Sequence, residues 1–394
     1  MSVAHSERAH AILSASGSKR WMSCTPSAQL EQQFPNTTSE FAEEGTAAHE
    51  LSELHLGIYL GEINKRTFNK KLKEQQAGKY YSQSMSDYVH SYVDTVIERI
   101  NEARARSKDA IVLIEQRLDY SAWVPQGFGT GDVVIIADGI MEIVDLKFGK
   151  GVPVSAEDNS QMRLYGLGAL NLFGFLYDIE TVRMTIVQPR LDSISTDELT
   201  TMDLLLWAEN EVKPLAEKAN AGEGEFVAGD HCRFCRAKAI CRARTEANLE
   251  MAKYEFREPT LLTHEEIGEI LAQADELQKW AADVQAYAFN QAEKHGVTFP
   301  GWKLVEGRSN RQYTDKDAVV HTLLAEGFGE EIIYAPKTIL GISALEKAIG
   351  KKIFSQLLSG HVVKPAGKPT LVPESDSRPE LSSTASAKAD FTDE

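Results

Sequence analysis

Residues 132–151 read DVVIIADGIMEIVDLKFGKG, two apolar runs joined by Asp138-Gly139. Short runs rich in Val and Ile, bounded by polar and glycine residues, mark buried strands, and Asp-Gly between two of them marks a tight hairpin. The first run spans 132–138 and the second, MEIVDLKF, spans 141–148. Asp132 is therefore placed at the opening of one strand and Asp145 towards the end of its partner. A hairpin of this length brings the two carboxylates side by side. Lys147 follows Asp145 by two residues, so on a strand both side chains leave from one face.

The flanking sequence supplies the rest of an α/β pattern. A helix is expected from Phe41 through EEGTAAHELSELHLG, with Ala47, Leu51, Leu54 and Leu56 as its apolar positions. A second helix is expected over 84–106, and a strand-like run, AIVLIEQRL, occupies 110–118. After the hairpin come a helix over 161–175, a strand over 181–189 and a helix over 200–221. Helix, three strands, helix and strand in that order specify an α/β core with a mixed sheet. Residues 1–40 read as a loosely structured segment carrying Cys24.

Beyond Cys241 the character changes. Residues 264–295 suit one long amphipathic helix with Ile267, Ile270, Leu271, Leu277 and Trp280 as its packing stripe. A strand-like piece, GWKLVEGR, follows, then helical segments at 315–326 and 343–350. The last thirty residues, rich in Pro, Ser, Asp and Glu, are expected to be poorly ordered. The expected organisation is a core over 1–250, a mainly helical accessory domain over 255–360 and a tail over 361–394.

A chain of 394 residues with 42% apolar and 25% charged residues is of ordinary globular composition. No run of about 18 apolar residues occurs, so no membrane partner is expected. The first twenty residues lack the apolar stretch of a signal peptide, which points to a cytoplasmic protein with reduced thiols. A net charge of −16 argues at first against nucleic acid. Binding depends on local patches, however. Arg233, Arg236, Lys238, Arg242 and Arg244 fall in a stretch without Asp or Glu, and Lys19, Arg20 and Trp21 flank Cys24. The plainer reading of such a cluster is a solvated face.

Cutting a phosphodiester with a divalent metal requires oxygen ligands on rigid backbone and a cation near the attacking water. Asp132, Asp145 and Lys147 meet that requirement on one hairpin. An isolated D-x-K is more often an exposed salt bridge. Here Ile143-Val144 puts Asp145 at the end of an apolar strand, and Gly149-Lys150-Gly151 allows a substrate backbone to approach.

His49 on the expected helix, Gly129 to Asp132, Asp145 to Lys147, and Gln161 with Tyr165 occur in that order. This series resembles the PD-(D/E)XK nuclease superfamily, in the branch with RecB, AddB and the iron–sulfur nucleases of CRISPR adaptation. The resemblance covers roughly residues 10–245 and implies a restriction-endonuclease-like core, a mixed central sheet flanked by helices. It implies that His49, Asp132, Asp145 and the Leu146 carbonyl bind Mg²⁺ or Mn²⁺, and that Lys147 is the catalytic lysine. Gln161 and Tyr165 would hold the DNA backbone or position Lys147. Gly131 stands where the superfamily has its proline, and the second acid is Asp rather than Glu; both variations occur in that branch.

The four cysteines are arranged one plus three: Cys24, then Cys232, Cys235 and Cys241. Structural zinc sites usually use two close pairs. By the same resemblance, this spacing implies a [4Fe–4S] cluster tying the ends of the core together; Zn²⁺ and unliganded thiols are the alternatives. His231, beside the cluster, would act on phosphate or behind the ligands. GWKLVEGRSNRQYTD and GKPTLVPESDSRPEL resemble a family of phage and prophage proteins known only as domain of unknown function 2800. That implies a setting among phage replication or recombination proteins and, with it, the host cytoplasm. The expected function is a metal-dependent deoxyribonuclease acting as an exonuclease or on DNA ends. The alternatives are a non-cutting DNA-binding or assembly subunit, and a zinc-stabilised structural protein. The C-terminal region would recruit a partner or support oligomerisation.

Overall fold

The computed structural model describes residues 11–35, 39–250, 262–305, 315–325 and 350–358, with isolated positions at 329, 342, 346, 361 and 362. The chain divides into two compact units, Met1–Asn290 and Gln291–Glu394. The first unit opens on helices α1 (Ser18–Ser23) and α2 (Ser27–Glu31). Helices α3 (Glu40–Leu60), α4 (Lys65–Gln76) and α5 (Gln83–Arg106) follow. Side-chain oxygens of Ser39, Asn64 and Ser82 accept from the otherwise unpaired amides at their N-termini. Strands β1 (Ile111–Asp119), β2 (Phe128–Ala137) and β3 (Ile140–Leu146) form an antiparallel meander.

Between β2 and β3, Asp138 and Gly139 take φ values of 51° and 71°, the left-handed pair a two-residue hairpin turn needs. Helix α6 (Ser160–Phe173) then crosses to β4 (Thr181–Gln188), which pairs parallel with β3. Strand β5 (Ser193–Thr200) pairs antiparallel with β4 and closes a five-stranded mixed sheet in the order β1-β2-β3-β4-β5. Helix α7 (Thr201–Trp207) continues through a π turn, Ala208–Val212, into α8 (Lys213–Ala221). Helix α9 (Arg242–Leu249) and the long α10 (His264–His295) come after the cysteines. The second unit contains α11 (Lys316–Ala325) and α12 (Lys351–Leu358).

The sheet lies between two helical layers. Val133, Ile135, Ala137, Val144 and Leu146 pack against Leu51, Val89, Val93 and Val96 of α3 and α5. Val134, Ile136, Met141, Ile143 and Met184 face Leu164 and Leu167 of α6 and Leu204 of α7. Alternation along the strands therefore loads both faces, which explains why their sequences read as near-continuous apolar runs.

Several elements differ from expectation. Residues 11–35 are not loose: Leu13 and Trp21 are buried in the α6-side core, and the Trp21 indole donates to the Ser14 carbonyl at 3.0 Å. The expected 200–221 helix is present as α7, the π turn and α8, but just before it lies β5, which was not anticipated. Its sequence, SISTDELT, turns Ser193, Ser195 and Asp197 inward, so it carries no apolar alternation. It is held by pairing with β4 and by polar partners such as Arg183 with Glu198. α4 is amphipathic without a fully buried residue, a weak signal. In α10, Ile270, Leu277 and Trp280 are half-buried, whereas Ile267 and Leu271 are exposed. Residues 301–305 of GWKLVEGR form a turn and irregular chain rather than a strand, and 306–308 lie outside the described residues. The segment 343–350, apart from positions 346 and 350, and the last thirty residues lie outside them too. No helix among the described residues is long and apolar enough to cross a membrane.

One packing detail sets an acid-side limit on stability. The His55 ring lies 4.4 Å from the His90 ring at a tilt of 60° and edge-on to Phe68, and its Nε2 is buried without a hydrogen-bond partner. Burial, with His90 beside it, lowers its pKa from 6.5 to about 4. The folded value is below the unfolded one, so stability should fall as pH drops from about 6.5 through about 4. His55→Phe is expected to flatten that slope, read as melting temperature at pH 7, 5.5 and 4.5.

Candidate metal centre

β2 and β3 part at one end of their ladder. Val133 opposite Val144 is the last pair, and the next position on each strand holds Asp132 and Asp145. Where the ladder stops, the Leu146 amide donates to Asp132 Oδ2 at 2.7 Å, so a carboxylate replaces a backbone carbonyl as acceptor. Asp132 Oδ1 stands 3.1 Å from Nδ1 of His49, which α3 brings from the opposite layer.

Asp145 and Lys147 point to the α6 face, as their spacing predicts. Lys147 Nζ is 2.8 Å from Asp145 Oδ2, an ion pair without the angles of a directed hydrogen bond. The same ammonium donates to Gln161 Oε1 at 3.0 Å. Gln161 Nε2 in turn donates to Tyr165 Oη at 3.2 Å and, more weakly, to Asp145 Oδ1 at 3.4 Å. Asn159 caps α6 through the amides of Gln161 and Met162 and so fixes the rotation that aims Gln161 inward. Asp132, Asp145 and Tyr165 are buried.

Gly129 has a steric reason. A Cβ there would lie 2.6 Å from the Tyr165 ring, so any side chain would push that ring away. Beyond Lys147, Gly149 and Gly151 face open space, and buried Gln188 donates to the Gly149 and Val152 carbonyls at 2.7 and 2.9 Å. The loop is thus anchored from beneath and open above.

Electrostatics follow from burying acids together. Burial works to raise Asp132, yet His49, the Leu146 amide and Lys147 hold its pKa below the usual range. Burial raises Asp145, Lys147 lowers it and Asp132 raises it again; the net is upward. Burial works to lower His49, but the charge and hydrogen bond of Asp132, with Asp145 and Glu115 behind it, raise it to about 9. Protons and one lysine therefore balance a group of buried carboxylates, a role a divalent cation fills better. Carboxylates, one imidazole and a backbone carbonyl suit Mg²⁺ or Mn²⁺.

Glu115 was not among the sequence candidates. Its carboxylate, a nitrogen of His49 and a carboxylate oxygen of Asp132 all lie within 4.8 Å of one another. The available signal was a single acid interrupting the run AIVLI-E-QRL, opposite Asp132 once the strands are paired in register.

The cysteines lie on segments from both ends of the core. Cys24 ends α1, which packs on the turn Asp230–Phe234. Its thiol is hydrogen-bonded to His231, and that bond, with burial opposing it, raises the imidazole pKa. Cys24, Cys232 and Cys235 are buried and Cys241, capping α9, is half-buried; none forms a disulfide. Burial pushes the Cys235 thiol up to about 11, with Cys232, Glu31 and Arg20 nearby. Thiolates are soft donors, the chemistry that suits an iron–sulfur cluster or zinc.

Three of the basic residues around the thiols, Arg20, Lys238 and Arg244, are held in ion pairs. Arg20 pairs with Glu31 at 2.7 Å, and the Arg236 amide and guanidinium also bond Glu31. Lys238 pairs with Asp283 at 2.7 Å. Arg244, 1% exposed, is held by Glu276 and Asp283 of α10 at 2.6 and 2.7 Å. Trp21 is buried, so it offers no stacking face. Part of the expected basic patch is therefore structural, while Arg233, Arg236 and Arg242 remain exposed. Arg244→Met leaves Glu276 without its partner and Asp283 with Lys238 alone, and should cost about 3 kcal/mol, read by chemical denaturation and by faster amide exchange in α10.

Comparison with known proteins adds a family. A family model described as "Protein of unknown function (DUF2800)" matches residues 10–379. The chain belongs to that family. Membership spans the sheet, the centre around Asp132 and Asp145, the cysteines and the helices beyond them. Among solved structures, one described as "Crystal structure of SSO0001" is similar at 17% identity and a TM-score of 0.23. The match covers 56% of this chain and 95% of that one.

Proposed function

We propose that this DUF2800 protein is a divalent-metal-dependent deoxyribonuclease acting at DNA ends, on a core of PD-(D/E)XK, RecB-like type. The observation that carries the reading is a pair of adjoining groups, His49–Asp132 and Asp145–Lys147–Gln161–Tyr165, next to each other where Asp132 accepts from the Leu146 amide. Within each group, side chains from separate elements lie at hydrogen-bonding or ion-pairing distance. In this reading His49, Asp132, Asp145 and the Leu146 carbonyl hold Mg²⁺ or Mn²⁺, which supplies Lewis acidity and lowers the pKa of a water.

The protein's own groups do the rest. Lys147 places a positive charge beside the reacting phosphate and orients the attacking water. Gln161 fixes the lysine, so no reorganisation is needed when charge develops. Tyr165 braces Gln161, and the open Gly149–Gly151 loop admits the strand. The four thiols fit a [4Fe–4S] cluster that fastens α1 to the 230–241 segment. The setting in phage replication or recombination rests on the resemblance of the C-terminal sequences.

End-labelled single- and double-stranded DNA, with circular controls, tests the proposal against anaerobically purified protein. Mn²⁺-dependent shortening of linear DNA is expected, with circles spared. If intact, metal-loaded protein binds DNA and cuts none of it, the reading of a non-catalytic DNA-binding subunit replaces this one.

A further inference from the structure

β1, β2 and β3 carry a row of acids. Register places Glu115 opposite Asp132 on one side and Asp145 opposite it on the other. At this row the in-and-out alternation breaks on two strands at once. Ile111 and Leu113 face α6 on β1, but beyond Glu115 it is Leu118 that does so. On β2, Val134 and Ile136 face α6, whereas beyond Asp132 a Cβ on Gly131 would meet Leu118 and Ile143 of that same face. Glu115 makes the switch with φ of 50°, a left-handed conformation in mid-strand for a residue with a Cβ. Such conformations are strained and persist where the surroundings impose them. Here the result is a third carboxylate turned towards His49 and Asp132.

A second observation points into the same place from α5. The Tyr92 hydroxyl is fully buried and has no hydrogen-bond partner. The charges acting on it are those of Asp132, Asp145 and Glu115. A buried phenol that faces carboxylates without a protein hydrogen-bond partner is a costly arrangement. The cost disappears when a hydrated cation brings water to that spot.

We infer that Glu115 is a metal ligand, and that His49, Glu115 and Asp132 form a second divalent-cation position; His49 then serves this position rather than the first, and Asp132 is shared with the one at Asp145 and the Leu146 carbonyl. The inference rests on the metal-dependent reading of the site and deepens it. Two cations bridged by one carboxylate can engage both the attacking and the leaving oxygen of a phosphodiester. Tyr92 donates to water held at the second position and is a positioning residue.

Mn²⁺ titration of the full, anaerobically purified chain, by calorimetry and by electron paramagnetic resonance, tests this. The unaltered protein should take up two Mn²⁺, Glu115→Gln one, and Asp145→Asn one. Tyr92→Phe touches no ligand and should weaken the second Mn²⁺ about tenfold. In EDTA, Glu115→Gln should melt no lower than the parent, because it removes a half-buried like charge beside Asp132; a purely structural glutamate would give a lower melting point. A single Mn²⁺ in the parent, retained unchanged in Glu115→Gln, overturns the inference. Should Glu115→Gln not fold, unchanged Mn²⁺ affinity in Tyr92→Phe does so instead. Cleavage is judged separately: a chain that binds two Mn²⁺ and cuts nothing keeps this inference and loses the nuclease reading. A chain that cuts with one Mn²⁺ does the reverse.

Discussion

Lys147→Ala should lower Mn²⁺-dependent DNA cleavage by about 10³-fold or more, with Mn²⁺ uptake retained. The magnitude follows from losing a preorganised charge and proton-handling group from a site screened from water. Lys147 competes with a cation for Asp145, since its ammonium is 2.8 Å from Oδ2. Its removal therefore frees the carboxylate for metal, and the defect should lie in turnover rather than in metal or DNA affinity. Asp145→Asn separates the two roles. It should abolish cleavage and also weaken Mn²⁺ binding. Without metal it should melt no lower than the parent, because burial and Asp132 already hold the Asp145 pKa high. Gln161→Ala is the intermediate case: Lys147 keeps its charge but loses the acceptor at 3.0 Å. A milder loss, about 10- to 100-fold, is expected for a group that only positions another. Full activity in Lys147→Ala would remove the lysine from the chemistry and, with it, the main support for cutting.

The sequence showed the central hairpin because its chemistry is local. Two apolar runs, a left-handed Asp-Gly pair and an acid at the end of each run leave few alternatives. The relation of Gln161 to Lys147 was visible for another reason. Helical spacing ties Gln161 to Tyr165, and only the face that buries Tyr165 can reach the sheet. Glu115 escaped because its role depends on pairing: nothing in AIVLIEQRL reveals that the fifth position after Ala110 lies opposite Asp132, or that φ inverts there. β5 escaped because its inward residues are polar and find partners across the edge of the sheet. The arginines near the cysteines were counted within their own stretch, whereas the acids that neutralise them, Glu31, Glu276 and Asp283, lie far away in sequence. Charge in a window describes composition; its partners are tertiary.

Cys24→Ser is expected to strip the brown chromophore, to reduce iron from about four atoms per chain to less than one, and to lower stability markedly. Cys24 and Cys232 are separated by about 200 residues, so a metal-mediated tie between them removes much loop entropy from the unfolded chain. By analogy with a covalent cross-link, that constraint is worth on the order of 5 kcal/mol. The N-terminal segment does not depend on the tie alone. Thr25 donates to the Glu223 carbonyl at 2.5 Å and Gln29 to the Asn220 carbonyl at 2.7 Å. Glu31 holds both Arg20 and Arg236. These contacts should let Cys24→Ser fold, with a lower melting temperature and faster proteolysis between α1 and α3. Cys241→Ser isolates the metal from the packing, since Cys241 is half-buried and its carbonyl, not its thiol, holds Thr245. Equal loss of iron in both variants identifies a cluster bound by all four thiols. A colourless parent holding one zinc per chain, lost from both variants, would replace the cluster by a mononuclear site. A parent without metal, and variants that melt with it, would leave four buried thiols as packing alone. The centre around Asp145 would then have to be positioned by the protein contacts just named.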